Sequence, residues 1–158
     1  MASALMYEQA REFVQAFLCE HIPLAKAMQL SVRHYDGQHL SLAAPLVANH
    51  NDKQTAFAGS ISSLATVTAW ALLMLWARQQ GRYDYQVAVV HADIHYKKPV
   101  LTDFYAQATL PTADVLVKSA QVLAQKGRVR IAVQIDVMDE HGIAAKQLAE
   151  YAVWRVKI

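Results

Sequence analysis

A single cysteine, Cys19, stands among 158 residues. No intramolecular disulfide can form, and a reducing compartment such as the cytoplasm fits best. Nothing marks Cys19 as a nucleophile, and a small apolar helix residue is the simplest account of it. Charge is also scarce: 18% of residues are charged, and the net charge is +2 with histidine neutral. That balance is too weak and too scattered for nucleic-acid binding. The first twenty residues do not read as a secretory leader either. The first turns carry Glu8, Arg11 and Glu12 at helical spacing instead of a basic start and an apolar run. No repeat, low-complexity tract or linker interrupts the chain, so residues 1–158 read as one domain, with a helix over residues 1–20 at its front.

What the chain has in quantity is apolar surface. Fifty-four per cent of residues are hydrophobic and the mean hydropathy is +0.12, rich for a soluble chain of this size. Part of that surface is expected to be hidden in an oligomer. The run Gln54–Ala77 carries no charge and is long enough to cross a bilayer. Its first half, however, holds Gly59, Ser60, Ser62, Ser63, Thr66 and Thr68, and only Ala69–Ala77 is strongly apolar. A helix buried inside a soluble fold accounts for this better than a membrane span.

The periodicity predicts a helix from Ser3 to about Glu20, broken by Ile22-Pro23. Two strands, Met28–Tyr35 and His39–Pro45, flank Asp36-Gly37, a hairpin signal. A loop over Leu46–Thr55 leads into a long helix, Phe57–Gln80, with Gly81 as its C′ residue. Strands follow at Gln86–Tyr96, stopped by Pro99, and at Asp103–Leu110. Thr112 is placed to cap a helix over Ala113–Lys126 that Gly127 ends. In Arg128–Met138, Val129, Ile131, Val133, Ile135 and Val137 alternate with Arg128, Arg130, Gln134 and Asp136. Glu140-His141-Gly142 turns the chain into a last strand, Ile143–Val156. Short links favour an antiparallel sheet, and the apolar central helix can cover one face of it.

The segment Asn49–Thr66 is the chemically suggestive one. A polar loop runs through a small-residue turn into the long helix, and a helix start exposes unpaired N–H groups and partial positive charge. Ala58, Gly59 and Ser60 are small enough to let a ligand oxygen approach those donors. Asn51 can offer a side-chain donor, and Asn49 can shape the loop or line the site; turn chemistry explains either asparagine as well. Ser60 and Ser63 can line the same pocket, but neither sits in a nucleophile elbow. His91, Asp93 and His95 share one strand face. No further ligand motif accompanies them, so a polar outer face or a subunit contact is the better reading and no metal is expected. Trp70, Leu73, Met74 and Trp76 read as core or dimer packing.

This order of elements resembles the α+β hotdog fold, a curved antiparallel β-sheet wrapped around a long central α-helix. PaaI-type hotdog thioesterases carry Asn, then Gly, then His-Gly-Gly, then an acidic residue two turns into the helix. Aligned without gaps, these fall on Asn51, on Phe57-Ala58-Gly59 and on Thr66. The chain is more closely similar to the thioesterase family named after the C-terminal domain of YiiD. The matching residues are Ala44-Pro-Leu, Asn49-x-Asn51, Thr55-x-Phe57-x-Gly59-Ser60, Leu64-Ala-Thr66, Trp70, Ile94-x-Tyr96, Pro99-Val100 and Asp103-Phe104. Gln54 and Ala58 stand where that family usually has glycine.

The resemblance implies an acyl-thioester hydrolase acting on acyl-CoA or acyl carrier protein. It also implies a homodimer or dimer of dimers with sites at the subunit interface. No cofactor is implied beyond the CoA or phosphopantetheine of the substrate. Phe57, Ala58 and Ser63 then contact substrate, while Asn51, Gly59, Ser60, Thr66 and Asp103 form the reacting end. Lys97 and Lys98 are candidates for the substrate's phosphates, with solvated strand-end charges as the default. Threonine at position 66 cannot act as a general base near neutral pH; Asp103 is the nearest candidate for one by motif, although a strand-start residue that orders the preceding loop is the better reading of it. A non-catalytic acyl-thioester binder is the alternative reading.

Overall fold

The computed structural model describes residues 2–81 and 83–156. Helix α1 (Ala2–His21) is followed at once by a short α2 (Pro23–Ala27). The Ile22-Pro23 break therefore also begins a helix, because proline is well suited to a first helical turn. Met28 caps α2 and Gln29 turns the chain at φ 56, so β1 covers only Ser31–Tyr35 and starts later than its hydrophobicity suggests. The hairpin to β2 (His39–Ala44) closes over Asp36-Gly37-Gln38, where the Asp36 carboxylate accepts the amides of Gln38 and His39 at 2.9 and 2.7 Å. A 3₁₀ turn (Leu46–Ala48) leads to the loop before α3 (Ala58–Arg78). Gln79 caps α3, so Gly81 lies one residue beyond the expected C′ position.

The remaining elements are β3 (Tyr85–Tyr96), β4 (Phe104–Thr109), α4 (Ala113–Lys126), β5 (Arg128–Asp139) and β6 (Gly142–Arg155). Thr112 holds the N-cap position of α4 without a side-chain bond, and Gly127 ends the helix in the left-handed region. All strand pairs are antiparallel, in the order β1-β2-β4-β5-β6-β3. The alternation along β5 is realised: Ile131, Val133, Ile135 and Val137 are buried. On β6 the inward row is Gln147, Ala149, Tyr151 and Val153, all buried.

This inner face wraps α3, which touches β2, β3, β4, β5 and β6. Alpha3 is long and apolar enough to cross a membrane by composition, but here it is the core helix of a hotdog fold, with Leu64, Ala65, Ala69, Leu72 and Leu73 fully buried. The two sheet edges differ. Beta1 has five residues and is flanked by α1, whose Gln15 bonds Val32 N and Leu30 O. Beta3 has twelve, is paired only with β6 among the described residues, and leaves Val89 and Val90 exposed.

Candidate active site

The loop before α3 is held from both sides. Asn49 is 3% exposed; its Nδ2 donates to the carbonyls of Met28 (2.9 Å) and Pro45 (2.8 Å), and its own carbonyl accepts Phe57 N at 2.7 Å. Its Oδ1 is buried without a partner. Asn49 thus fixes the angle at which the chain enters the helix. Asn51 closes a smaller turn: its Oδ1 accepts the amides of Lys53 and Thr55, and its Nδ2 donates to Thr55 Oγ1 at 2.9 Å. Its hydrogen bonds stay within the loop. Gln54 takes φ 61 there, a conformation glycine adopts more easily, which gives a physical reason for the family's usual residue. Ala58 is already helical and needs no glycine.

Phe57 occupies the N-cap with extended backbone, φ −64 and ψ 132, and no side chain caps the helix. The amides of Ala58, Gly59 and Ser60 have no hydrogen-bond partner among the described residues, while Ile61 N already bonds Phe57 O at 3.1 Å. Three donors therefore point off the start of a 21-residue helix. The Phe57 ring folds back over Gly59 so closely that a Cβ at position 59 would collide with it. From β3, Tyr96 Oη donates to Ala58 O at 3.2 Å.

One turn beyond Gly59 the helix enters a groove of about 370 Å³. Ser62, Ser63, Thr66, Val67 and Trp70 line it from α3, and Val89 and Tyr151 line it from the sheet. Ile22 and Leu24 close it from the α1–α2 junction. Not one of its lining residues is charged. Tyr151 Oη donates to Thr66 O at 2.7 Å, and Gln147 Nε2 lies 3.5 Å from Thr66 Oγ1. Burial pushes the Tyr151 phenol far above its ordinary pKa, so it stays a neutral donor. The hydroxyl that bonds back one helical turn is that of Thr68, to Leu64 O at 2.6 Å; Thr66 directs its hydroxyl toward Gln147 instead.

The structure thus places Ser63 and Thr66 in one groove, whereas Phe57, Ala58, Gly59 and Ser60 lie at the start of the same helix and are not among the residues lining it. Asp103 stands apart, its Oδ1 accepting Leu46 N at 2.8 Å and so ordering the turn after β2. Lys98 Nζ bonds the carbonyl of His141 at the β5–β6 turn, and Lys97 is exposed at the end of β3. His91, Asp93 and His95 face outward opposite Glu150, Leu148 and Lys146. Sequence reasoning missed Gln147 and Tyr151. A glutamine in an otherwise apolar inward row was the available signal, but its helix partner lies 81 positions away. Trp70, read as packing, is half-buried on the groove wall, whereas Leu73 and Trp76 are core.

A family model described as "Putative thioesterase (yiiD_Cterm)" matches residues 11–155. A protein of unknown function from Chlorobaculum tepidum TLS is 26% identical, with 95% of this chain and 97% of that one covered, at a TM-score of 0.86. A "putative thioesterase" from Shewanella oneidensis is 22% identical over 92% and 97% of the two chains, with a TM-score of 0.81. A thioesterase from Haemophilus influenzae shares the fold at 14% identity, covering 92% and 90%, with a TM-score of 0.72.

Proposed function

The chain belongs to the thioesterase family named for the C-terminal domain of YiiD, and from that premise we propose that it hydrolyses acyl thioesters of CoA or acyl carrier protein. One observation carries the reading: α3 starts with three unpartnered amides, and its next turns, from Ser62 to Trp70, line an uncharged groove. The thioester carbonyl oxygen accepts from the amides of Ala58, Gly59 and Ser60, and the acyl chain runs along Ser63, Thr66 and Val67. Water attacks the carbonyl carbon, and the negative charge gathers on the oxygen that the amides face. Such donors are worth roughly 3 kcal/mol each in a dry, fixed site. Thr66 Oγ1, steadied by Gln147, holds the water. Collapse then breaks the C–S bond, and a proton of the attacking water is relayed through a second water to the departing sulfur, giving the carboxylic acid and the free thiol. Asn49 and Asn51 shape the loop that aims the amides.

Val89 of β3 lines the groove, and β3 is an edge strand among the described residues. Unpaired strand edges of this length are ready to pair, which supports the homodimer that the family implies, with β3 of each protomer side by side and the groove closed between them. Exposed Cys19 accords with a reducing cytoplasm. CoA or phosphopantetheine enters only as part of the substrate.

A second reading, an acyl-thioester binder without turnover, is favoured by the absence of any carboxylate or histidine among the residues lining the groove. Thiol release from a panel of acyl-CoA and acyl-carrier substrates separates the two. Turnover by the wild type supports hydrolysis. Tight binding of the same substrates without thiol release, with activity appearing only in Thr66→Glu, supports the binder.

A further inference from the structure

Resting on that reading, we infer that Trp70 is the floor of the acyl compartment and sets the longest acyl chain the protein accepts. Along α3 the groove changes character in the order an acyl thioester does. Free amides start the helix, the hydroxyls of Ser63 and Thr66 follow in the groove, and Val67 with the exposed Val89 and Leu24 makes its apolar walls. One turn further along α3 lies the half-buried Trp70 indole.

Trp70 is also a wall of a second cavity, of about 500 Å³, that continues toward the end of α3 between Phe13, Phe17, Met74 and Val87. Trp70 is the one lining residue the two cavities share, so they adjoin at this side chain. Its position is fixed from three elements. The backbone is on α3, its Nε1 donates to Val87 O of β3 at 2.9 Å, and the Phe17 ring of α1 packs on it at 5.5 Å. Swinging the ring aside breaks a half-buried hydrogen bond, so the wall stays in place when an apolar chain presses on it. Beyond the indole the lining includes Arg78, Asp84 and Gln86, which offer a methyl terminus less than the first compartment does.

The test uses the full chain and straight-chain acyl-CoAs from butanoyl to hexadecanoyl. It measures kcat/KM by thiol release and, separately, affinity for the matching non-hydrolysable thioethers by calorimetry. In the wild type, affinity should climb about fourfold per added methylene, the ratio that roughly 0.8 kcal/mol per methylene gives, and then stop abruptly. Trp70→Ala joins the compartments and should move that limit to longer chains. Val67→Phe, which fills the first compartment and leaves the Val87 bond intact, should move it to shorter ones and keeps the proposal testable if Trp70→Ala fails to fold. An unchanged limit in folded Trp70→Ala, or in Val67→Phe, overturns the assignment even where turnover is normal. A limit that shifts in the binding series while no thiol is released leaves Trp70 as the floor and removes hydrolysis instead.

Discussion

The two halves of α3 have opposite relations to the rest of the molecule. From Thr68 to Ala77 every residue except Trp70 and Met74 is buried against the sheet. From Ala58 to Val67 only Ile61, Leu64 and Ala65 are. The second half is an anchor made of alanine, leucine and tryptophan. The first is small and polar, begins with three free amides, and leaves an open stripe over Gly59, Ser63, Thr66 and Val67 at one-turn spacing. A single helix can thus carry its stability at one end and its chemistry at the other, with the packed end holding the donors still.

The strongest way to break this division is to damage the anchor. Leu72 is fully buried, so Leu72→Ala should lower unfolding free energy by about 2–5 kcal/mol in urea titrations, while the acyl-length preference of the folded protein is unchanged. A shifted preference would mean that the halves are not separable. Asn49→Ala strips the donor from two carbonyls and should cost about 1–3 kcal/mol. The Asn49 backbone carbonyl that accepts Phe57 N survives the substitution, but the loop carrying it loses its side-chain grip on Met28 and Pro45, so this is the change expected to lower both stability and thiol release.

At the junction of the halves, Tyr151→Phe removes the bond to Thr66 O and should cost about 0.5–1.5 kcal/mol. It carries a pH signature as well. Burial raises the Tyr151 phenol above its ordinary value of 10.0, so the stability it contributes is complete below pH 10 and is lost as pH rises toward the folded value. Alkaline melting curves should therefore fall less steeply for Tyr151→Phe than for the wild type. The smallest effect on stability belongs to Ser62→Ala, which removes a local bond to Gly59 O at the edge of the groove and should stay within about 0.5 kcal/mol.

The fold was legible because its signals are local. The alternation in β5, the apolar run of α3 and Gly127 after α4 each report on residues close in sequence, and the resemblance tied them to one architecture. Alpha2 was hidden because proline breaks one helix and starts the next, and the late start of β1 turns on Gln29 adopting a positive φ without being glycine. In the site, the helix start could be read from small residues in sequence, whereas the division of labour between Asn49 and Asn51 could not. Both suit turns, and only burial separates the one that grips Met28 and Pro45 from the one that bonds Thr55. Gln147 and Tyr151 reach Thr66 across 81 and 85 positions, a separation that no periodicity encodes.

The amides at the start of α3 bear the functional account, and proline can delete one of them with little disturbance. Ala58 is the first residue of α3, and Phe57 already has the extended backbone that precedes proline. In Ala58→Pro, kcat/KM for thiol release should fall about 100- to 1000-fold while the melting temperature stays near that of the wild type. Thiol release at the wild-type rate from a folded Ala58→Pro protein would contradict it.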